Sequence, residues 1–532
     1  MNKDTICHRI MGFDTIFVDA FHGEFLKKYT KNPDSTFILS HYHGDHYQSL
    51  PRDDKYQGPA LIHCSHVTAK LLVEVHKVPK RFVVGHEYGD TFLIQQSRKR
   101  PKHLDQDQER ANHDDNAKIT FYDANHCPGA CIILISDSKG TTHLHTGDCR
   151  YHPCFESYPL LRRAVQERKL DLVYLDTTYC HPKHNFVPQE MAIESIASQT
   201  EELFSEQSNA SNTGKTLVLL SCYSIGKEKV LYESSKRSNQ LIYVNEKKWK
   251  MLECMQQEKL PNQKQHYMNI LERCTRDSSL SDMHVIRMGL AGEMFPFFVP
   301  NFVKIANYVK ELNTNNKYNR VVAFIPTGWA NASNWNKKNA ISTKIIQVPS
   351  SDKPLHVEVR LISYSEHSSY PELFSFAKYL RPRKIIPTVY SDQKHYRQIE
   401  NRFRSIIDST RVKETFFRTM KNNSLTASMN QSDKCENEKK MNETEIRNDD
   451  KCQNRHEKLT NDKINTIVTM GFDRNRTKIL LEKGNGNIQL CIETLLLEGN
   501  QLDRHNHTTF QAPKKRKMMR STIKDYFGKK EN

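Results

Sequence analysis

Short apolar runs alternate with polar and helical stretches over about the first 420 residues of the chain. Residues 15–18, 36–39 and 172–175 are three such runs. Runs of this length, bounded by polar segments, predict buried strands that alternate with helices. We therefore expect an α/β fold in this part of the chain.

Polar side chains that can bind a metal or take part in catalysis follow these three runs directly. Asp19 follows the first run, Ser40 and His41 follow the second, and Asp176 follows the third. Proteins of the α/β class usually present functional groups where strands end. The pattern therefore predicts a site that is assembled from the ends of several strands.

The remainder of the chain has a different composition. Residues 421–458 contain almost no aliphatic or aromatic side chains, so they cannot bury enough apolar surface to offset the loss of chain entropy, and we expect a disordered linker. Apolar residues return at helical intervals between 459 and 500, which predicts three short helices. Residues 501–532 form a basic tail, and the charged stretch 96–116 is expected to be a surface loop.

The length and net charge of the chain limit the number of domains and the class of binding partner that we expect. A chain of 532 residues predicts several domains, and 79 Lys+Arg against 62 Asp+Glu leave a net charge of +17, which favours a nucleic-acid partner. No stretch approaches the roughly 18 to 20 apolar residues that span a bilayer, and residues 1–9 contain no apolar signal core, so we expect an intracellular protein without a membrane partner. The 13 cysteines include no CxxC pair, which argues against a zinc finger.

The strongest chemical signal is residues 41–46, which read His-Tyr-His-Gly-Asp-His directly after a predicted strand. Neutral imidazole and carboxylate groups suit Zn²⁺ and similar divalent ions. Further candidates lie at other predicted strand ends, although any one of these taken alone is also compatible with a core or surface position. Together the candidate metal ligands are His41, His43, Asp45, His46, His126, Asp148 and His367.

The ordered motifs resemble those of the metallo-β-lactamase fold hydrolases of the β-CASP branch. Within that branch they resemble the SNM-type nucleases of DNA interstrand cross-link repair, to which Artemis is related. The resemblance covers about residues 12–402. It is carried by residues 18–21, 41–46, 123–130, 145–148, 175–180, 223–229, 326–329 and 364–370. One departure is Cys149, where close relatives usually have phenylalanine.

The resemblance implies an αββα sandwich with an inserted α/β cap. Residues 1–180 would form the first part of the sandwich, residues 181–355 the β-CASP cassette, and residues 356–420 the return to the core. The linker 421–458, a small helical domain at 459–500 and the tail 501–532 would follow. The active site would lie in the groove between sandwich and cap.

The resemblance also implies the role of each ligand candidate. His41, His43, His126 and Asp148 would bind a first metal, and Asp45, His46, Asp148 and His367 would bind a second metal and carry catalysis, with Asp148 as the bridge. Asp19 and Asp176 would orient the ligand histidines from outside. The expected cofactor is Zn²⁺ at one or two sites, with Mg²⁺ or Mn²⁺ as alternatives at the second. Metal ligation lowers the pKa of water to about 7, which would supply the nucleophile.

The implied activity is 5′ to 3′ DNA exonuclease, which acts on single-stranded or damaged, 5′-phosphorylated DNA in cross-link repair and the damage response. Val389 occupies a motif position where DNA-directed members carry valine and RNA-processing members tend to carry histidine. The residues expected to hold the 5′-phosphate are Thr177, Ser224, Lys227, Ser368 and Ser369. Four alternatives stay open: an Artemis-like endonuclease, an RNA-processing endonuclease, a small-molecule hydrolase, and a scaffold that binds ubiquitin and PCNA without catalysis.

Two further resemblances lie in the last 70 residues. Residues 464–497 are similar to a ubiquitin-associated (UBA) domain, whose ubiquitin contacts would be Met470, Gly471, Phe472 and Leu496. Residues 520–527 are similar to the peptide that docks on the sliding clamp PCNA, through Ile523, Tyr526 and Phe527, although Arg520 replaces the usual glutamine. Residues 513–517 are expected to be a nuclear import signal, which predicts a nuclear protein.

Overall fold

The computed structural model describes residues 8–95, 116–209, 215–256, 266–293, 298–312, 317–328, 341–346, 354–408, 464, 474–483 and 491. The chain divides into two units, Met1–Met420 and Lys421–Asn532, which we call the N-terminal unit and the C-terminal unit. The predicted loop 96–116 lies outside the described residues except for Asn116, which begins a strand. The linker, the import signal and the residues named for ubiquitin and PCNA contact also lie outside the described residues.

Two sheets of the N-terminal unit are built mainly from its first 175 residues. A parallel sheet has the order β1-β2-β3-β4, with strands β1 (Ile16–Val18), β2 (Thr36–Ile38), β3 (Leu61–Ser65) and β4 (Val83–His86). A mixed sheet has the order β19-β9-β8-β7-β6-β5. Its strands are β5 (Thr91–Gln95), β6 (Asn116–Asp123), β7 (Cys131–Ser136), β8 (Thr142–His145), β9 (Leu170–Leu175) and β19 (Lys384–Pro387). The apolar runs at 15–18, 36–39 and 172–175 therefore form strands, as predicted.

The two sheets pack face to face. Val18 and Ile38 of the first sheet share a buried cluster with Phe121 and Ile133 of the second. Successive residues of a strand point to opposite faces, so their neighbours contact the helices instead. Phe17 is one of these, and it belongs to a second cluster that also contains residues of helices. Helices thus cover the outer faces of two packed sheets.

A third sheet follows in the sequence. Its order is β12-β11-β13-β10-β16-β18-β17, and all neighbouring strands are parallel except the edge strand β17. The strands are β10 (Lys215–Cys222), β11 (Ile242–Tyr243), β12 (Cys274–Thr275), β13 (Met283–Arg287), β16 (Tyr318–Thr327), β17 (Ile341–Ile346) and β18 (Leu355–Ser363). A two-stranded ribbon pairs β14 (Gly292–Glu293) with β15 (Val299–Pro300).

Helices connect the strands. The α-helices of the N-terminal unit are α1 (Gly23–Tyr29), α2 (His66–Lys70), α3 (Pro159–Gln166), α4 (Gln189–Asn209), α5 (Glu228–Ser238), α6 (Glu246–Met255), α7 (Met288–Ala291), α8 (Phe302–Leu312), α9 (Tyr370–Leu380) and α10 (Gln393–Phe403). A π-helical turn follows α2 at Leu71–His76, and short 3-10 turns lie at Lys80–Phe82, Pro153–Ser157, His266–Arg273 and Ser278–Leu280. Ser369 and Glu372 form a capping box that begins α9.

The described part of the C-terminal unit is the helix α11 (Arg474–Lys483) with Ile464 and Cys491. Thr477 and Leu481 are buried on one face of α11, four residues apart. Cys491 is also buried and donates through Sγ to the carbonyl oxygen of Thr477 at 3.6 Å. Across the described ranges of both units, no helix is long and apolar enough to cross a membrane.

Candidate metal centre and active-site cavity

Loops that leave four different strands bring the ligand candidates together. Residues 41–46 follow β2, His126 follows β6, Asp148 follows β8, and His367 follows β18. The loop at Asp148 begins with Gly147 at φ +52°, where a Cβ atom would lie 2.8 Å from Cβ of Ser40. Only glycine fits this close approach, which places Asp148 beside the loop after β2.

One group of donor atoms surrounds His43. Its Nδ1 lies 3.0 Å from Nε2 of His41 and 3.1 Å from Nε2 of His126. Oδ2 of Asp148 lies 3.7 Å from the same His41 nitrogen and 3.8 Å from the same His126 nitrogen. Four donors from three loops therefore face one point.

A second group uses the same carboxylate oxygen. Oδ2 of Asp148 lies 3.3 Å from Nε2 of His46 and 3.9 Å from Nε2 of His367. Oδ2 of Asp45 lies 3.8 Å from that His46 nitrogen, on a side chain that is 80% exposed. The two groups meet at a single oxygen atom of Asp148.

The other nitrogen of each histidine is bound to the protein. Nδ1 of His46 lies 2.8 Å from Oδ2 of Asp19, and Nδ1 of His367 lies 2.8 Å from Oδ2 of Asp176. A ring nitrogen that donates to a carboxylate leaves the opposite nitrogen free for a ligand role. Asp19 itself has a φ of +50°, a strained conformation for a residue with a side chain, and it also accepts from the backbone and hydroxyl of Ser40 at 2.8 and 2.7 Å.

The remaining three histidines are oriented by neutral groups. Nδ1 of His126 lies 2.8 Å from the carbonyl oxygen of Glu366, and Nε2 of His43 lies 3.1 Å from that of Ile225. Nδ1 of His41 lies 3.0 Å from Oγ of Ser40. All five histidines therefore have one nitrogen bound to the protein and one directed at the shared centre.

Burial and charge divide the five histidines into two electrostatic classes. Burial, together with neighbouring imidazoles, lowers the pKa of His41 well below its usual value. Burial is also the main reason that the pKa values of His43 and His126 are lowered to about 4. These three rings are neutral near pH 7, the form that binds a metal.

Neighbouring carboxylates determine the pKa values of the other two histidines, His46 and His367. Burial acts to lower the pKa of His46, but Asp148 and Asp19 outweigh it and raise that pKa well above its usual value. Burial likewise opposes Asp176 and Asp148 at His367, whose pKa is nevertheless raised to about 9. The negative charge of these carboxylates therefore favours a positive charge at this point, either a protonated histidine or a cation.

The donor set fits a divalent cation. Two donors about 2.1 Å from a tetrahedral ion such as zinc lie about 3.4 Å apart. The separations within the two groups run from 3.0 Å, between His41 and His43, to 3.9 Å, between His367 and Asp148, and bracket that value. Imidazole and carboxylate donors match the ligand preference of such ions.

Five of the seven ligand candidates, namely His43, Asp45, His126, Asp148 and His367, line a cavity of about 330 Å³. Its walls come from the two-sheet sandwich and from the third sheet. The lining residues are His43, Gly44, Asp45, His126, Asp148, Thr178, Tyr179, Tyr223, Ser224, Lys227, Pro326, Thr327, Gly328, Tyr364, Ser365, Glu366 and His367.

The five residues expected to hold a 5′-phosphate separate into two sets. Ser224 and Lys227 line the cavity. The hydroxyl of Thr177 instead donates to the carbonyl oxygen of Val389 at 2.7 Å and accepts from its backbone N–H at 3.0 Å. Thr177 is therefore engaged in fixing the end of β9, and its neighbour Thr178 reaches the cavity wall.

Ser368 and Ser369 also lie outside the cavity lining, and a phosphate contact from their side chains stays a prediction. The hydroxyl of Ser368 donates to the carbonyl oxygen of Cys149 at 3.1 Å and accepts from the backbone of Tyr151 at 2.9 Å. The hydroxyl of Ser369 caps α9. Their polar atoms hold the loop of His367 in place.

The loop between β10 and α5 forms a wall of the cavity beside the donor groups. Gly226 has a φ of +100°, and a Cβ atom there would lie 2.7 Å from Oε2 of Glu366. The next residue, Lys227, donates through its backbone N–H to Oε1 of Glu366 at 2.7 Å. Glu366 thus joins this loop to the chain segment that carries His367.

Two residues of the site escaped the sequence analysis. Cys127 is buried, and its Sγ belongs to a group with the donor atoms of His41, His43 and His126 in which all atoms lie within 4.8 Å. Glu366 binds both His126 and Lys227, as described above. Each adjoins a predicted ligand in the sequence, and that adjacency was the available signal.

Residues 268–393 match a family model described as "DNA repair metallo-beta-lactamase". The matched range contains His367, and it ends at the start of α10. The N-terminal donor residues His41, His43, Asp45, His46, His126 and Asp148 lie outside that range.

Curated proteins are similar over a longer stretch. The chain is 31% identical over 392 residues to DNA ligase 6 of Arabidopsis thaliana, which covers 71% of this chain and 24% of that protein. It is 30% identical over 372 residues to DNA cross-link repair 1A protein of Homo sapiens, which covers 70% of this chain and 29% of that protein. It is 27% identical over 356 residues to 5′ exonuclease Apollo of Gallus gallus, which covers 67% of this chain and 59% of that protein. The chain thus spans between 24% and 59% of the length of these relatives.

Proposed function

We propose that this protein is a metal-dependent DNA nuclease that hydrolyses phosphodiester bonds from 5′-phosphorylated ends and acts in interstrand cross-link repair. The observation that carries the proposal is the pair of donor groups that meet at Oδ2 of Asp148. The family match and the relatives named for cross-link repair and 5′ exonuclease activity support the same reaction class.

In this proposal the donors bind one or two divalent ions, with Zn²⁺ the preferred ion. His41, His43, His126 and Asp148 hold the first, and Asp45, His46, Asp148 and His367 hold the second, where Mg²⁺ and Mn²⁺ are alternatives. When bound, such ions neutralise charge on phosphoryl oxygens and activate water as a nucleophile.

The protein's own groups position the reaction. Asp19 and Asp176 fix the ring orientation of His46 and His367, because each accepts a hydrogen bond from Nδ1. Tyr364 and Tyr179 lie in the cavity wall. Donors that the protein holds in a fixed orientation stabilise developing charge more strongly than water does.

A terminal phosphate would contact the part of the cavity wall that Lys227, Ser224 and Thr178 form. Lys227 brings a buried ammonium group, and Ser224 and Thr178 bring hydroxyls. Charge-assisted hydrogen bonds from such groups suit a phosphate dianion. A pocket that requires a terminal phosphate would favour exonuclease over endonuclease activity, because productive binding then needs a free end.

The test uses the full chain and internally labelled single-stranded DNA that carries either a 5′-phosphate or a 5′-hydroxyl. We expect metal-dependent, stepwise shortening that prefers the phosphorylated strand. Asp148→Asn should abolish it and reduce bound metal, whereas Asp90→Asn, a matched change on an exposed side chain, should leave both unchanged.

Two results would overturn the proposal. Internal cuts at equal rates on both strands would favour the Artemis-like endonuclease. A folded, metal-loaded protein that cuts no DNA would exclude a DNA nuclease and leave an RNA-processing nuclease or a scaffold without catalysis as the alternatives.

We also propose that the C-terminal unit recruits the enzyme in the nucleus through ubiquitin and PCNA. The proposal rests on the UBA-like sequence around Met470, Gly471, Phe472 and Leu496 and on the clamp-like peptide with Ile523, Tyr526 and Phe527. The buried face of α11, with Thr477 and Leu481, is compatible with a small helical domain. Pull-down of full-length protein with ubiquitin and with PCNA tests each partner, and no retention on either would remove it.

A further inference from the structure

A second cavity of about 370 Å³ adjoins the active-site cavity. The two share Tyr223 and Ser224 as lining residues. The far wall of the second cavity includes Lys247, Arg287, Met288 and Gly289. A volume of this size is typical of small-ligand sites, and the function proposed above assigns it no role.

The cavity lies at the carboxyl ends of parallel strands in the third sheet. Tyr223 and Ser224 follow β10, and Met288 and Gly289 follow β13, its neighbour. Open parallel sheets usually bind their ligands at the carboxyl ends of the strands.

The charge of the wall selects an anion. Lys247 and Arg287 are exposed, and within the described ranges neither forms an ion pair. The wall contains no carboxylate among the residues that the structure describes. Two basic side chains that face a cavity without acidic groups favour a phosphate ligand.

Lys227 links this cavity to the active site. Its Nζ lies 3.8 Å from Sδ of Met288, in the wall of the second cavity, and 4.3 Å from the centre of the Tyr223 ring, which lines both. The side chain is buried, and no carboxylate among the described residues pairs with it. One ammonium group therefore borders both cavities.

The apolar part of the wall suits a nucleobase. Tyr223 is 48% exposed, so a large part of its ring is open to a ligand. Met251, Val285 and Met288 add apolar surface. Bases stack on aromatic side chains in a way that tolerates every sequence, because every base has a π-face.

We propose that this cavity is a second nucleotide subsite, which binds the nucleotide next to the one at the metal centre. The base would contact Tyr223 and Met288, and the phosphate would contact Lys247 and Arg287. The inference rests on the proposed function, since it takes the strand in the active-site cavity to be DNA. It implies that the protein grips at least two consecutive nucleotides.

The test measures the affinity of full-length protein for fluorescent single-stranded oligodeoxythymidylate in chelator, where no turnover occurs. Lys247→Ala/Arg287→Ala is expected to weaken binding about tenfold and to make the slope of log K against log salt shallower by about 0.7, since each phosphate neutralised in a single strand contributes about that amount. Gly289→Trp should weaken binding without removing charge, because a Cβ at Gly289 meets no atom within 4 Å and a large side chain can fill the cavity.

The matched control is Lys139→Ala/Arg397→Ala, which removes one lysine and one arginine from exposed positions that line neither cavity. Equal affinities for wild type and both cavity variants, or equal losses in the cavity and control double variants, would overturn the subsite. Turnover of bis(p-nitrophenyl) phosphate by metal-loaded wild type tests the proposed function separately. Loss of that function would therefore be distinguishable from loss of the subsite.

Discussion

A buried ion pair supports the loop that separates the two cavities. Nζ of Lys248 lies 2.8 Å from Oε1 of Glu228, and the side chains are 7% and 1% exposed. The same ammonium donates to the carbonyl oxygen of Ser224 at 3.0 Å. Glu228 in turn accepts from the backbone of Gly226 at 2.9 Å. Both ends of the pair therefore bind the loop that begins at Tyr223.

Lys248→Met removes one charge and leaves the other buried. Removing one partner of a buried ion pair costs about 3 to 5 kcal/mol, because the remaining charge has lost its compensation in a medium of low dielectric constant. Unfolding free energies are about 5 to 15 kcal/mol for a domain, so the expected loss is a large fraction of the total. Lys248→Met/Glu228→Gln should recover much of it, since the unpaired carboxylate is then absent.

Urea unfolding of the full chain, followed by tryptophan fluorescence and circular dichroism, measures these differences. The control is Arg163→Met, which breaks the exposed pair of Arg163 with Glu167 and should leave the free energy of unfolding nearly unchanged. A loss below about 1 kcal/mol for Lys248→Met, or a double variant no more stable than the single one, would refute the reasoning from burial.

Three further predictions concern the site, the fold and the tail. Asp176→Asn should lower metal affinity and DNA hydrolysis by about ten- to a hundredfold, because its carboxylate accepts from Nδ1 of His367 at 2.8 Å; unchanged metal content and rate would contradict this. His63 stacks against His86 with a 2.8 Å nitrogen–nitrogen contact, and burial lowers the pKa of His63 to about 3. The unfolded chain therefore binds a proton at His63 below about pH 6.5, whereas the folded chain does not. His63 does not reduce the free energy of unfolding above that pH, and below it that free energy falls towards pH 3 by up to about 1.4 kcal/mol per pH unit. His63→Phe should flatten this dependence in urea titrations at pH 6, 5 and 4, and parallel curves for the two proteins would disprove it. Phe527→Ala should weaken binding to PCNA by about tenfold or more in calorimetry, since it removes an aromatic anchor, and an unaltered affinity would exclude the docking peptide.

Local pattern was sufficient for the strands and for the first ligands. The runs at 15–18 and 36–39 form β1 and β2 because short apolar segments between polar ones have few other ways to be buried. The residues from His41 to His46 were identifiable because four candidate ligands lie within six positions. His126, Asp148 and His367 became candidates through their positions at predicted strand ends, and only the resemblance of whole motifs implied which metal each would bind.

Hydroxyl groups show what pattern reasoning leaves open. Thr177, Ser368 and Ser369 belong to motifs around the groove, yet their side chains bind Val389, Cys149 and the first turn of α9. Sequence position defines which strand end a residue follows, but it does not define which neighbour takes its hydrogen bond. That choice depends on backbone groups that are up to 219 residues distant in the chain.

The sequence by itself determined the α/β class, the ligand types, the positive charge and the change of composition at residue 421, because each of these depends on residue identity and short-range spacing. The tertiary structure decided that Oδ2 is the oxygen of Asp148 that faces both donor groups, that Asp19 binds His46 and Asp176 binds His367, and that a second basic cavity adjoins the first. These features depend on distances of 3 to 4 Å between residues remote in sequence. Such distances follow from how sheets pack and strands end, and no local pattern encodes them.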